Sequence, residues 1–247
     1  MDETTIALGA SKLGGRPDLA PDVAWPMWHG VAMAFIAQIR LEDAAPFDVA
    51  HQLPATGLLS FFYDSQQTTN GSKPQDRGGW WVHYEAIERA QVQRQSFPAN
   101  MPPASQFIAG ALTCAADLTL PTSGTPEVVA LHWTSEVIAR YETLLATFPS
   151  AAAHAATHHR LLGHADTLQD DMRLQCQLVA HGVTDMHDPH AATLQAGADQ
   201  WQLLLQIDSD AASGMQWGDA GMLYYWIEAE ALHALRFADT WLVLQSD

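Results

Sequence analysis

Leu203-Leu-Leu-Gln206-Ile207-Asp208 and, after a polar stretch, Gly221-Met-Leu-Tyr-Tyr-Trp-Ile227-Glu228 are the segments from which the fold is read. Both are short runs of leucine, aromatic and β-branched residues bounded by glycine or acidic side chains, the composition of buried strands. The same order stands earlier in the chain, as Phe35-Ile-Ala-Gln38-Ile39 followed by Gly57-Leu-Leu-Ser-Phe-Phe-Tyr63-Asp64. Ahead of each pair lies a glycine-bearing phrase, Leu13-Gly14-Gly15-Arg-Pro-Asp18 in one half and Leu162-Gly163-His-Ala-Asp166 in the other. Behind each lies an aromatic-led run, Trp80-Trp-Val-His-Tyr84 and Trp241-Leu-Val-Leu244. Four features recurring in one order point to an internal duplication. The expectation is an α+β, strand-dominated single domain over residues 1–247. It would be built from two diverged β-rich repeats, about 11–95 and about 158–245, related by a pseudo-twofold and joined by a few helices.

The connections carry the helical signals. Val137, Ile138, Tyr141, Leu144, Leu145 and Phe148 recur at helical spacing, with Thr134 or Ser135 to cap the start and Pro149 to stop the run. Shorter helices are expected over Ala191–Asp199 and Glu228–Leu235, and Ser150–Thr157 reads as a surface helix or a linker between the repeats. Val128–Leu131 reads as a strand, as does Met172–Leu178, where Met172, Leu174, Cys176 and Leu178 alternate. Residues 65–79, rich in Gln, Thr, Asn, Gly and Ser, read as an exposed loop.

Hydrophobic residues make up 48% of the chain and charged residues only 16%, so there is ample apolar material for a core. Eleven basic against 28 acidic side chains give a formal net charge of −17. Such a surface repels phosphate backbones and anionic membranes, which argues against both as partners. It favours encounter with a basic protein. Two cysteines far apart, Cys114 and Cys176, imply no disulfide framework and fit a reducing compartment. With no secretory signal in the acidic N-terminus and no apolar run of membrane-spanning length, the expected location is the cytoplasm.

Several phrases resemble those of the YwqG-like bacterial family: Ser11-Lys-Leu-Gly-Gly-Arg-Pro-Asp-Leu19, Trp25-Pro26, the runs at 35–39 and 57–64, and His159-Arg-Leu-Leu-Gly163. So do Asp171-Met172, Cys176-Gln-Leu178, and Leu203–Ser209 followed by Met215–Gly221. The resemblance implies a single α+β domain of the bacterial cytoplasm, of unknown function, with no catalytic residue or cofactor to carry over. It also hints at an antitoxic binder.

Among residues that could carry function, Gln38 and Arg40 share the polar side of one strand, as Gln206 and Asp208 do on its counterpart. A glutamine in an apolar strand needs hydrogen-bond partners, at a cost of roughly 1–3 kcal/mol without them. Structural pairing with nearby backbone is one reading. The other is a cleft between the repeats, framed by Gln38, Arg40, Gln206 and Asp208, with Trp217 and Asp219 at its mouth. His181, Asp185, His187 and His190 are weak candidates for a metal site, since their spacing matches no named motif. His158, His159 and His164 gather near Asp166, where a histidine–carboxylate pair could move protons. No nucleophile elbow, dinucleotide fingerprint or phosphate loop occurs, so no catalytic residue and no cofactor is expected. Three functions follow in order: a non-enzymatic protein-binding module, a small-molecule binder using the inter-repeat cleft, and a metal-assisted hydrolase using a His/Asp cluster.

Overall fold

Bulky apolar runs closed by glycine or charged residues form two main antiparallel sheets, beside two short two-stranded ribbons, in the computed structural model, which describes residues 3–148, 156–185 and 187–246. The first sheet contains β1 (Lys12–Leu13), β2 (Ala34–Arg40), β3 (Leu58–Tyr63), β4 (Trp80–Glu85) and β5 (Gly110–Ala111), in the order β4-β3-β2-β1-β5. The second contains β6 (Arg160–Leu161), β7 (Trp201–Asp208), β8 (Met222–Glu228) and β9 (Trp241–Gln245), in the order β6-β7-β8-β9. Apart from β5, the two strand orders are the same.

The registers also agree. Lys12 lies opposite Gln38 and Leu13 opposite Ala37, while Arg160 lies opposite Gln206 and Leu161 opposite Leu205. Each long inner strand carries one irregularity, between Phe35 and Ala37 in β2 and between Leu203 and Leu205 in β7. These registers align Leu13 with Leu161, so the glycine-bearing phrases match one residue earlier than the sequence suggested. Gly14 then corresponds to Leu162, and both sit in the left-handed region, at φ 54° and 61°. The following Gly15 and Gly163 do the same. The turn is held by the Gly14 N–H donating to Ile36 O at 2.8 Å and the Leu162 N–H to Leu204 O at 3.1 Å.

The irregularity in β2 corrects the expected alternation. Strict alternation would place Phe35 on the same face as Ala37 and Ile39, but the extra residue turns it to the other side. There it packs with Leu19, Met33 and Phe62, while Ala37 and Ile39 join the main core. That core draws on both sheets, with Phe61 against Tyr225 at 5.1 Å and Trp80 against Trp241 at 4.9 Å between ring centroids.

Helices fill the connections. Ser135–Leu145 forms as expected, with Thr134 Oγ1 accepting from the Val137 N–H at 3.4 Å, yet none of its residues is buried. Pro189–Leu194, a 3-10 turn over Gln195–Gln200, and Ala229–His233 match the shorter helical expectations. Two expected strands are helices instead. Arg173–Ala180 buries Met172, Cys176 and Val179, a helical spacing that the alternating hydrophobes had masked. Pro126–Val129 starts with proline at its first position, which favours a helix over a strand despite two valines.

The loop at 65–79 is partly closed, because it covers the β9 edge: the Leu244 N–H donates to Asn70 O at 3.1 Å. Gly71, at φ 78°, is required there, since a Cβ would fall 1.8 Å from Leu242 O. Residues 150–155 of the expected linker lie outside the described residues. Among the described residues, no helix is long and apolar enough to cross a membrane.

Candidate functional site

Each half contains the same hydrogen-bonded knot around its buried glutamine. The Asp18 N–H donates to Gln38 Oε1 at 2.9 Å, and the Asp166 N–H to Gln206 Oε1 at 3.0 Å. Gln38 Nε2 donates to Ala10 O and to Asp18 Oδ2, at 2.8 and 3.0 Å. Gln206 Nε2 donates to His158 O and to Asp166 Oδ2, at 3.0 and 2.9 Å. A cation closes each knot: Lys12 Nζ stands 3.4 Å from Asp18, and Arg160 Nη1 stands 2.7 Å from Asp166. Each cation also donates to a backbone carbonyl, Lys12 to Arg16 O and Arg160 to His164 O. At the next strand position, the Arg40 N–H donates to Ser11 Oγ at 2.9 Å and the Asp208 N–H to His159 Nδ1 at 3.2 Å.

The halves differ in what covers the knot. In the first, Glu3 accepts from Lys12 Nζ and the Arg16 N–H, and Arg94 donates to Asp18. Lys12, Asp18 and Gln38 are all fully buried. Burial pushes the Asp18 carboxyl up, but Arg94, Lys12, the Gly9 N–H and Gln38 together hold it below its ordinary value. Burial also lowers Lys12, against the pull of Asp18 and Glu3. In the second half, Thr119 Oγ1 accepts the His164 N–H and Asp117 accepts from Arg160. The Asp166 side chain there is 36% exposed and that of Arg160 13%.

Beside this looser knot lies a cleft of about 420 Å³. Ile39 and Ala44 from the first half face Leu161, Leu205 and Ile207 from the second, the segment 112–119 closes one side, and His159 and Arg160 supply polar groups. Burial holds His159 below its ordinary value, against the pull of Asp210 and Asp208. Cys114 is also on the wall, with its thiol pushed up by burial and by Asp43. A smaller recess of about 280 Å³ adjoins it, with Gln52 and Gly163 common to both.

None of the six residues expected to frame a cleft is on these walls. The strands are the ones expected, but Ile39, Leu205 and Ile207 face the cleft while Gln38 and Gln206 occupy the knots. Arg40 is fully buried, with Nε donating to Gly9 O at 2.9 Å and Nη1 to Ile87 O at 2.7 Å. Trp217 is buried against Phe107 and Tyr63 and donates to Asp208 O at 3.2 Å. Asp219 is exposed.

The histidine clusters separate. His158 does reach Asp166, Nδ1 to Oδ2 at 3.5 Å, but Arg160 and Gln206 already occupy that oxygen. His187 pairs with Asp185 and His190 with Asp188, as two exposed side-by-side pairs, while His181 Nδ1 contacts Gln177 O. Among the described residues, no group of three or more His, Cys, Asp or Glu side chains could hold a metal ion.

The cleft-lining residues that sequence reasoning missed are Arg160 and the irregular segment 112–119, while His159, singled out there with His158 and His164, lies on the cleft wall. A basic residue opposite a strand glutamine, as Lys12 and Arg160 are, was the available signal for the first. A family model for a domain of unknown function, DUF1963, matches residues 11–246. No curated protein matches the chain.

Proposed function

The chain belongs to the DUF1963 family, and from that premise we propose that it binds a small, largely apolar molecule in the cleft between its two halves. The observation that carries the reading is the cleft of about 420 Å³, with aliphatic walls from both sheets and polar side chains, among them Asp48, Asp117, His159 and Arg160, on the rest of the lining. Ligand sites are typically concave, mainly apolar and roughly 300–1,000 Å³ in volume. The guanidinium of Arg160 is held by Asp117, Asp166 and His164 O, so it orients the polar wall and leaves no free charge to attract an anion.

The test is fluorescence titration with the neutral apolar dye N-phenyl-1-naphthylamine. Ala116, on the exposed segment lining the cleft, is replaced by tryptophan to fill the space. The reading expects saturable dye binding that is weakened about tenfold or more in Ala116→Trp, equivalent to about 1.4 kcal/mol. No saturable binding, or equal binding by both proteins, overturns it.

We further read the matched knots as the trace of an ancestral doubling within a YwqG-like bacterial, cytoplasmic protein. The equivalent hydrogen bonds around Gln38 and Gln206 support the doubling, and the phrases at Ser11–Leu19 and Leu203–Ser209 support the finer family placing. A second functional reading, a protein-binding module for a basic partner, is supported by the net charge of −17. It predicts capture of a basic protein that is released as salt rises, and salt-insensitive capture counts against it.

A further inference from the structure

Two chain segments form sides of the larger cleft, and they are held in different ways. On one side, residues 44–53 carry their own backbone bonds. The Phe47 and Asp48 N–H groups donate to Ala44 O at 2.9 and 3.2 Å, and the His51 N–H donates to Asp48 O at 3.0 Å. Asp48 Oδ2 accepts the Leu53 N–H at 2.8 Å, and Gln52 Nε2 donates to Gln202 Oε1 at 2.9 Å. That side is fixed to itself and to the second half. On the other side, residues 113–120 make no backbone–backbone hydrogen bond among the described residues. They hang between two anchors, the Leu112 N–H donating to Ser11 O at 3.0 Å and the Tyr141 hydroxyl donating to Pro121 O at 2.6 Å.

Apolar burial does not hold this segment either. Leu112 and Cys114 pack against the main core, so burial secures only its beginning. Ala115, Ala116 and Asp117 are exposed, and Leu118 is 76% exposed. Among the described residues, two polar contacts tie the segment to the second half. Asp117 Oδ2 accepts from Arg160 Nε and Nη2 at 3.3 and 3.2 Å, and Thr119 Oγ1 accepts the His164 N–H at 3.0 Å. The Asp117 side chain is 47% exposed, whereas that of Glu3, which seals the other knot, is 14% exposed. An ion pair open to water adds little stability. A segment with no backbone ladder and little apolar burial opens locally far more readily than the sheets around it. The cleft it borders is floored by Ile39, Leu205 and Ile207, all buried.

We propose that residues 113–119 form a strap that gates the cleft, latched by Asp117 on Arg160 and by Thr119 on the His164 N–H, and that release of both contacts together admits the apolar ligand. The gate rests on the reading of the cleft as a binding site, while the opening of the strap is read in the empty protein. Asp117 and Thr119 stand on one stretch without backbone bonds, so loss of either contact weakens the other. Lifting the strap leaves Arg160 with Asp166 and His164 O as partners, so opening strands no charge.

The experiment uses the full chain, first without ligand and then with the dye N-phenyl-1-naphthylamine. In the empty protein, amide hydrogen exchange is followed at His164, whose N–H is the second latch. Asp117→Ala removes the first latch and leaves Thr119 in place. The His164 amide should then exchange about tenfold faster, while amides in Ala34–Arg40 and Trp201–Asp208 keep their parental rates. Two independent contacts would leave His164 unmoved. With the dye, stopped-flow mixing of Asp117→Ala and, separately, Thr119→Val should show association several-fold faster than in the parent. A wall residue that only touches ligand acts mainly on release, so the association rate singles out a gate. Thr119→Val changes no charge, and it carries the test should Asp117→Ala fold poorly. Unchanged His164 exchange in a folded Asp117→Ala overturns the strap. Dye binding at the parental association rate in both variants overturns the gate and leaves the cleft standing. Absence of dye binding to parent and variants alike removes the cleft and its gate together.

Discussion

The knot around Gln38 and the knot around Gln206 share nearly every bond yet differ in what lies over them. In the first half, Glu3 and Arg94 seal Lys12 and Asp18 away from water. In the second, Asp117 and Thr119 cover Arg160 and the His164 N–H from an irregular segment, and that segment is also a wall of the cleft. One network of glutamine, aspartate and a cation can therefore serve as a closed staple or as the edge of a cavity. Which of these it becomes depends on the chain segment laid across it. Sealing raises the cost of breaking the knot, because orphaned groups in a dry site cannot recover water.

The largest expected effect follows from that. Gln38→Leu strands the Asp18 N–H, the Ala10 carbonyl and part of the Asp18 carboxylate in a fully buried site, and should cost about 3–5 kcal/mol in chemical denaturation. Gln206→Leu removes the same bonds beside a partly exposed aspartate and should cost about 1–3 kcal/mol. Equal losses would break the distinction between sealed and open knots.

A smaller effect separates the halves by pH. Ser11 Oγ accepts the Arg40 N–H in one half, while the Asp208 N–H is accepted by His159 Nδ1, which must be unprotonated to do so. The folded His159 titrates below its ordinary value of 6.5, chiefly through burial. The unfolded chain therefore binds protons first as pH falls. The stability from His159 is complete above about 6.5 and is lost progressively as pH descends through the folded value. His159→Ser gives the second half the acceptor of the first and should flatten the stability profile between pH 7 and 5. An unchanged slope would assign the dependence to another group, of which His164 is the first to examine, since burial lowers it as well.

The smallest effect is expected at the exposed pairs. His187→Ala should change stability by no more than about 0.5 kcal/mol, because surface ion pairs contribute little. A larger loss in the same denaturation assay would show that this segment is tied to the body of the fold.

The long strands were legible because their aromatic and leucine runs are short, apolar and bounded, and the order of features in each half was read from them. The helix at Arg173–Ala180 was not, since Met172, Leu174, Cys176 and Leu178 fit alternation as well as they fit a turn of helix. The Thr125-Pro126-Glu127 start of the neighbouring helix was a usable signal, outweighed by Val128 and Val129. The glutamines were correctly marked as needing partners, but strand pattern alone did not tell which face would meet the cleft. The irregularity in each inner strand shifts the faces, and nothing in composition announces it. Glu3 and residues 112–119 act only through tertiary contacts, so their part in closing the two knots had no local sequence signal.

Amide hydrogen exchange at Asp18 and Asp166 tests the sealed-against-open distinction most directly, since each N–H donates to the glutamine of its own knot. The Asp18 amide should exchange only through global unfolding, and the Asp166 amide many-fold faster through local opening, slowing when the cleft is filled. Equal protection of the two amides, unaffected by occupancy of the cleft, would contradict the account.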